Sequence, residues 1–185
     1  MVALYSGSMT RANPLPALWL LSDARNDAVL EHALARLPRR NAFVFRHYHL
    51  DVMARRQRFE ELAAAARAGG HLVILSGPAE LAQEWGADGI YGLPEQLGKL
   101  PGLLRLAAAH DAREVARANR ACADGLFLSP VFPTRSHRGG GCLGPERFHE
   151  LAALAEMPVI ALGGMTAERA EALPWPRWAA IDGLS

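Results

Sequence analysis

The sequence has few cysteines and no excess of charge of either sign. Only two cysteines occur among 185 residues, Cys122 and Cys142, and they form no Cys-x-x-Cys pair. This pattern argues against a structural zinc site and favours a reducing compartment. Twenty basic and nineteen acidic side chains nearly cancel, so no overall field would recruit nucleic acid or an anionic membrane. Any preference for an anion must therefore be local.

The sequence also lacks the segments that direct a chain into or across a membrane. Its first residues contain no basic stretch followed by an apolar run and a small-residue cleavage site. No apolar run reaches the roughly 20 residues that span a bilayer. We therefore expect a cytoplasmic protein without a membrane partner. Half of the residues are apolar, which is enough for one core, so we expect a proline-marked leader over residues 1–16 and a single domain over 17–185.

Short apolar runs alternate with segments whose apolar residues recur at helical spacing. Eight uniformly apolar runs separated by single helices predict parallel strands closed into a (β/α)8 barrel, a TIM barrel, whereas an open flavodoxin-like sheet needs fewer units. The predicted strands are Leu18–Leu21, Ala42–Phe45, Leu72–Leu75, Gly89–Tyr91, Leu103–Ala109, Gly125–Leu128, Val159–Leu162 and Ala179–Ile181. The predicted helices are Asp27–Leu37, Arg56–Ala68, Ala79–Trp85, Glu95–Lys99, Arg113–Cys122, Pro145–Glu156 and Ala167–Leu173.

The sequence given stops at Ser185, just beyond the eighth run. We therefore expect a short form of the barrel that lacks the final outer helix. Such a barrel would leave an apolar flank beside the first and last strands, which the leader or a second copy of the chain in a homodimer could cover.

Active sites of such barrels lie at the carboxyl ends of the strands. Arg46 follows the second strand and offers a forked set of donors to phosphate or carboxylate, although a salt bridge with Asp23 or Asp51 would also account for it. His110 ends the fifth strand and is a candidate proton carrier, with a capping or core histidine as the alternative.

Two glycines, Gly163 and Gly164, follow the seventh strand just before a helix, where a backbone can approach a phosphate closely. The alternative is a tight strand-to-helix turn with Thr166 as the N-cap. The histidines at positions 47 and 49 have no carboxylate partner at zinc spacing, so we predict no metal site there.

The sixth run leads into the loop "LFLSPVFPTRSHRGGGCLG", residues 126–144, which combines prolines, glycines and basic side chains. Together with "PVIALGGMTAERA" around the seventh run, this segment resembles the thiamine-phosphate synthase family, including its thiazole tautomerase branch. The looser matches "LWLLSDARND", "ADGIYGLPE" and "AAAHDAREV" extend the likeness over nearly the whole barrel. The resemblance implies a (β/α)8 barrel that handles a phosphorylated thiazole, with Thr134 as an anion contact and Gly163, Gly164 and Gly183 as backbone phosphate donors.

The sequence departs from the family pattern where the family binds magnesium and pyrophosphate. The family's Gln-x-Arg-x-Lys exit from strand two is "VFRHY" here, which keeps Arg46. Its Asn-Asp-Asp after strand three is replaced by Ser76, Gly77 and Pro78, and a second aspartate aligns with Gln96. The family's loop lysine falls at His137, which could restore some positive charge. A departing pyrophosphate needs such neutralisation.

These departures favour proton transfer on a thiazole phosphate, with His110 as acid and base and with no cofactor. The leading alternative is a divergent thiamine-phosphate synthase that couples a pyrimidine methyl diphosphate to thiazole phosphate, and only this reaction would require Mg²⁺. A noncatalytic phosphate-binding or regulatory relative is the third hypothesis.

Overall fold

The computed structural model describes residues 15–135 and 141–184 as a closed barrel of eight parallel strands in chain order. The predicted TIM barrel is confirmed. The strands are β1 Leu18–Leu21, β2 Ala42–Phe45, β3 Leu72–Ser76, β4 Gly89–Gly92, β5 Leu104–Ala109, β6 Gly125–Leu128, β7 Val159–Leu162 and β8 Trp178–Ala180. The helices are α1 Leu30–Arg36, α2 Val52–Ala68, α3 Ala79–Glu84, α4 Ala112–Arg120, α5 Gly144–Ala152 and α6 Ala167–Ala172, with 3-10 turns at Asp27–Val29 and Pro94–Gln96.

Both faces of the strands are buried, which explains why the runs are apolar throughout. Trp19 and Leu21 point into the barrel, where Trp19 packs edge-on against Phe127 with ring centroids 5.3 Å apart. Leu20 and Phe43 point outward and pack under the helices. One core therefore fills the barrel and a second lies between the strands and the helices.

Three of the described helices, α2, α4 and α6, begin at a residue whose side chain caps them. Asp51 accepts a hydrogen bond from the Ala54 backbone, and Asp111 accepts one from Glu114. The sequence prediction started α2 four residues too late, at Arg56, because it overlooked Asp51 as an N-cap. The expected helix Glu95–Lys99 is only the 3-10 turn Pro94–Gln96.

Leu15, just before β1, lies at the amino-terminal end of the barrel. Leu15 packs against the inner core, and its carbonyl accepts a hydrogen bond from Arg177. At the other end of the described chain, no helix follows β8 as far as residue 184. Within the residues that the structure covers, no helix is both long and apolar enough to cross a membrane.

Candidate functional site

The carboxyl ends of the strands surround a cavity of about 120 Å³, which we call the His110 cavity. Its walls bring together four of the residues singled out from the sequence, although the roles assigned to them remain predictions. The lining residues are Arg46, Tyr48, Tyr91, His110, Ser129, Pro130, Thr134, Leu162 and Gly163. The predicted proton carrier and two predicted anion contacts therefore face one space.

Arg46 leaves β2 toward this cavity with its guanidinium only loosely paired. Its Nη2 lies 3.8 Å from Asp23 Oδ2, and the guanidinium rests over the Tyr48 ring at 5.6 Å. Burial disfavours the Asp23 carboxylate, but hydrogen bonds from Arg25 outweigh this effect and lower the pKa of Asp23. The salt-bridge alternative for Arg46 is thus present in part, and the pair is long enough for an anion to compete with Asp23.

His110 is held by a carboxylate that the sequence analysis did not identify. Glu114 Oε2 accepts hydrogen bonds from the His110 backbone N–H at 2.7 Å and from Nδ1 at 2.8 Å. Nδ1 therefore carries the proton, and in the neutral imidazole the lone pair is on Nε2. Asp111, the next residue in the sequence, instead caps α4. The spacing from residue 110 to residue 114 at the start of a helix was the signal that could have revealed Glu114.

The loop after β6 packs directly on the turn after β7. Val131 and Phe132 donate backbone hydrogen bonds to the carbonyls of Leu162 and Gly163 at 2.9 and 3.0 Å. Gly163 has φ +96°, and a Cβ there would lie 2.6 Å from the Pro130 Cα. Glycine is therefore required at this position by the left-handed backbone and by the close approach of the β6 loop.

Two other predicted phosphate contacts, Gly164 and Gly183, are not among the lining residues of the His110 cavity. The carbonyl of Gly164 accepts a hydrogen bond from Arg169, and Thr166 caps α6, as the tight-turn alternative expects. The phosphate roles of both glycines stay predictions. His137 lies outside the described residues.

Beneath the cavity rim runs a buried chain of hydrogen bonds that the sequence analysis did not predict. Ser22 Oγ accepts from the Arg46 backbone N–H at 2.7 Å and lies 2.8 Å from His47 Nδ1. His47 Nε2 lies 2.8 Å from Asp27 Oδ1, to which Arg58 also donates. Because the carboxylate only accepts, His47 donates from Nε2 and accepts from Ser22 at Nδ1. This chain of hydrogen bonds fixes the backbone from which Arg46 projects.

The ionisation of these groups agrees with that arrangement. Burial lowers the pKa of His47 even though Asp27 opposes the shift, which keeps the imidazole neutral. Burial also opposes ionisation of Asp27, but hydrogen bonds from His47 and Arg58 prevail and lower its pKa. His47 and Ser22 are both almost completely buried, so this Ser–His–Asp chain presents no hydroxyl to a substrate.

Comparison with known proteins places the chain in a family. A family model described as thiamine monophosphate synthase matches residues 20–174. The chain belongs to this thiamine-phosphate synthase family. A thiamine-phosphate synthase of Xanthomonas campestris pv. campestris is 32% identical over 154 residues, which cover 78% of this chain and 73% of the relative. A thiamine-phosphate synthase of Chlorobium luteolum is 34% identical over 119 residues, and the match spans only 56% of that relative's length.

Two solved structures share the barrel. Thiamine phosphate pyrophosphorylase from Pyrococcus furiosus superposes with a TM-score of 0.74 at 21% identity, covering 89% of this chain and 85% of that chain. The Bacteroides thetaiotaomicron thiamine phosphate pyrophosphorylase gives a TM-score of 0.58 at 14% identity, with coverages of 90% and 82%. At these identities the likeness supports the fold alone.

The residues at the expected magnesium position of this family member do not fit Mg²⁺. A second cavity of about 290 Å³, which we call the Ser76 cavity, lies where β3 and β4 end. Its lining residues are Tyr48, Ser76, Gly77, Tyr91, Gly92, Leu93, Gln96, Leu97 and Ala108. Mg²⁺ is held in proteins by carboxylates and water, and no carboxylate lines this space. Across the described residues, no group of three His, Cys, Asp or Glu side chains is arranged to hold a metal.

Proposed function

We propose that this chain binds a phosphorylated thiazole of thiamine biosynthesis in the His110 cavity. The observation that carries the proposal is the convergence of Arg46, His110, Thr134 and Gly163 on one space at the carboxyl ends of the strands. A guanidinium and a threonine hydroxyl supply charged and neutral donors to phosphate oxygens. The names of the relatives place their own activity in the same pathway.

The reaction that these described residues support best is proton transfer on the thiazole ring. With Nδ1 held by Glu114, Nε2 of His110 can take a proton from one ring atom and return it to another. Glu114 would stabilise the imidazolium that forms in between. This reaction expels no diphosphate, so it does not depend on the carboxylates that the Ser76 cavity lacks.

Coupling to a pyrimidine diphosphate is the second candidate, and the names of the relatives favour it over proton transfer. The relatives given above from Xanthomonas and Chlorobium are both named thiamine-phosphate synthase. In that reaction the leaving diphosphate would need positive charge, for which Arg46 lies within the described site. Magnesium would have to bind elsewhere than among the residues of the Ser76 cavity.

Two assays separate these candidates. The purified protein is incubated with thiazole phosphate and the pyrimidine diphosphate, with and without Mg²⁺, and thiamine phosphate is measured. In parallel, exchange of ring protons of the thiazole is followed by NMR in D₂O. For proton transfer, we expect enzyme-dependent exchange without Mg²⁺ and a fall of roughly 10²- to 10⁴-fold in His110→Asn.

Three other outcomes of these experiments would each contradict proton transfer and point to a different conclusion. Thiamine phosphate formed at an enzymatic rate would establish the coupling reaction instead. Binding of thiazole phosphate by calorimetry, with neither reaction, would indicate a noncatalytic ligand-binding protein. Failure of thiazole phosphate to bind would refute the proposed function as a whole.

A further inference from the structure

The Ser76 cavity is the larger of the two spaces at the barrel mouth, and its walls carry no charged side chain. It shares Tyr48 and Tyr91 with the His110 cavity, so the two spaces adjoin. The polar groups in its lining are two phenols, the Ser76 hydroxyl and the Gln96 amide. Its volume of about 290 Å³ lies at the lower end of small-molecule sites, roughly 300–1,000 Å³.

The hydrogen bonds of this wall leave an acceptor at its surface. The Ser76 hydroxyl donates its single proton to the Tyr91 carbonyl at 3.2 Å. The Tyr48 hydroxyl, 2.5 Å from Ser76 Oγ, must therefore be the donor in that pair. With its proton used in this way, the Tyr48 phenol oxygen can only accept a hydrogen bond from a ligand. This suits an N–H donor and disfavours phosphate oxygens.

The other groups that line or lie behind the cavity bring no charge to its surface. Burial raises the pKa of Tyr91 to about 12, although Arg46 opposes the shift, so its phenol stays neutral near neutral pH. Arg55 lies behind the wall, where its Nη2 donates to the carbonyls of Ser76 at 2.7 Å and Arg46 at 3.2 Å. Its guanidinium is not part of the cavity lining. Leu93, Leu97 and Ala108 make up the apolar part of the wall.

We propose that the Ser76 cavity binds an uncharged aromatic ring that carries an N–H donor, in place of a magnesium–diphosphate group. The ring lies against the apolar residues and the two tyrosines, and its N–H donates to the Tyr48 oxygen. The inference does not depend on the proposed function, because the phosphorylated thiazole of that proposal would occupy the His110 cavity.

The test uses two neutral ring probes that differ in one atom. Indole presents an N–H, and benzofuran has an oxygen at the same position. Binding of each to the full-length chain is measured by NMR titration. We expect indole to bind and benzofuran to bind roughly three- to ten-fold more weakly, the loss of one hydrogen bond.

A cavity-filling variant assigns the binding to this space. Gly92 lines the Ser76 cavity, and a Cβ there would meet only Gln96 Oε1, at 3.7 Å, so Gly92→Leu adds a side chain to this wall without a close contact at Cβ. We expect indole affinity to fall at least ten-fold in Gly92→Leu. The matched control is Ala64→Leu, which adds the same side chain on the exposed face of α2 and should leave affinity unchanged within two-fold.

Three results would overturn the inference: no indole binding to the wild-type protein, equal binding to Gly92→Leu, or displacement of indole by diphosphate that requires Mg²⁺. Inorganic phosphate is titrated separately to test the proposed function. If phosphate fails to bind while indole binds and responds to Gly92→Leu, the proposed function fails and the inference stands. If phosphate binds and indole does not, the reverse holds.

Discussion

Removal of the Ser22 hydroxyl tests whether the buried hydrogen-bond chain supports the cavity rim. Ser22 is fully buried and is bonded to the Arg46 backbone N–H at 2.7 Å and to His47 Nδ1 at 2.8 Å. In Ser22→Ala both groups would lose this partner in a space closed to water. An unsatisfied buried polar group costs about 1–3 kcal/mol, so we expect the variant to be destabilised by roughly 2–4 kcal/mol. For a chain of this length that is a fall in Tm of roughly 5–15 °C.

The assay is denaturant unfolding of the wild type, Ser22→Ala, His47→Phe and the double variant. His47→Phe keeps the ring that stacks on Phe45, with centroids 4.7 Å apart. If the hydrogen-bond chain acts as a unit, the loss of unfolding free energy in the double variant should be smaller than the sum of the two single losses, by about 0.5–3 kcal/mol. A loss below about 0.5 kcal/mol in Ser22→Ala, the range typical of unimportant surface changes, would refute the reasoning.

Three further predictions concern the anion contact, pH and the β7 turn. Arg46→Ala should weaken binding of inorganic phosphate roughly ten- to hundred-fold in calorimetry, as expected for one charge-assisted hydrogen bond, whereas Arg56→Ala on the exposed face of α2 should not; equal loss in both would contradict the site. Burial lowers the pKa of His47 and of His71, so the unfolded chain binds more protons just below its histidine pKa of about 6.5. The free energy of unfolding should therefore be fully maintained above that pH and decline as pH falls through the folded-state pKa values, and chemical denaturation that shows the opposite slope would count against it. Gly163→Ala should lower Tm, because its Cβ would lie 2.6 Å from the Pro130 Cα at φ +96°; Gly92→Ala, with open space, is the control, and equal Tm values would remove the argument.

The strands were predictable because both of their faces are buried. All eight predicted runs agree with the observed strands to within one residue at each end. The start of α2 was predicted four residues too late, because the residues that follow its N-cap, Asp51, show no clear apolar period. The uniformly apolar runs were therefore enough to predict the barrel, whereas the start of a helix such as α2 depended on a single capping side chain.

The site was only partly predictable, because its polar groups meet across large separations in sequence. Placing Arg46 and His110 at the barrel mouth required nothing more than the strand ends. The partners of His47 are contributed by residues 22 and 27, and its burial could not be read from a histidine that follows a strand. His71 is likewise buried, and its Nδ1 accepts a hydrogen bond from the Asn41 backbone, thirty residues earlier in the sequence. Such contacts are set by the closure of the barrel rather than by the local pattern.

The departures from the family pattern at the exits of β2 and β3 are coupled in the structure. Tyr48, in place of the family's lysine, donates to Ser76, which replaces the first residue of the family's Asn-Asp-Asp. Val44, in place of the glutamine, is fully buried inside the barrel. Restoring a single family residue, such as asparagine at position 76, would place an amide beside the Tyr48 hydroxyl and the Tyr91 carbonyl. It would not by itself rebuild a metal site, because Mg²⁺ is held by carboxylates and water.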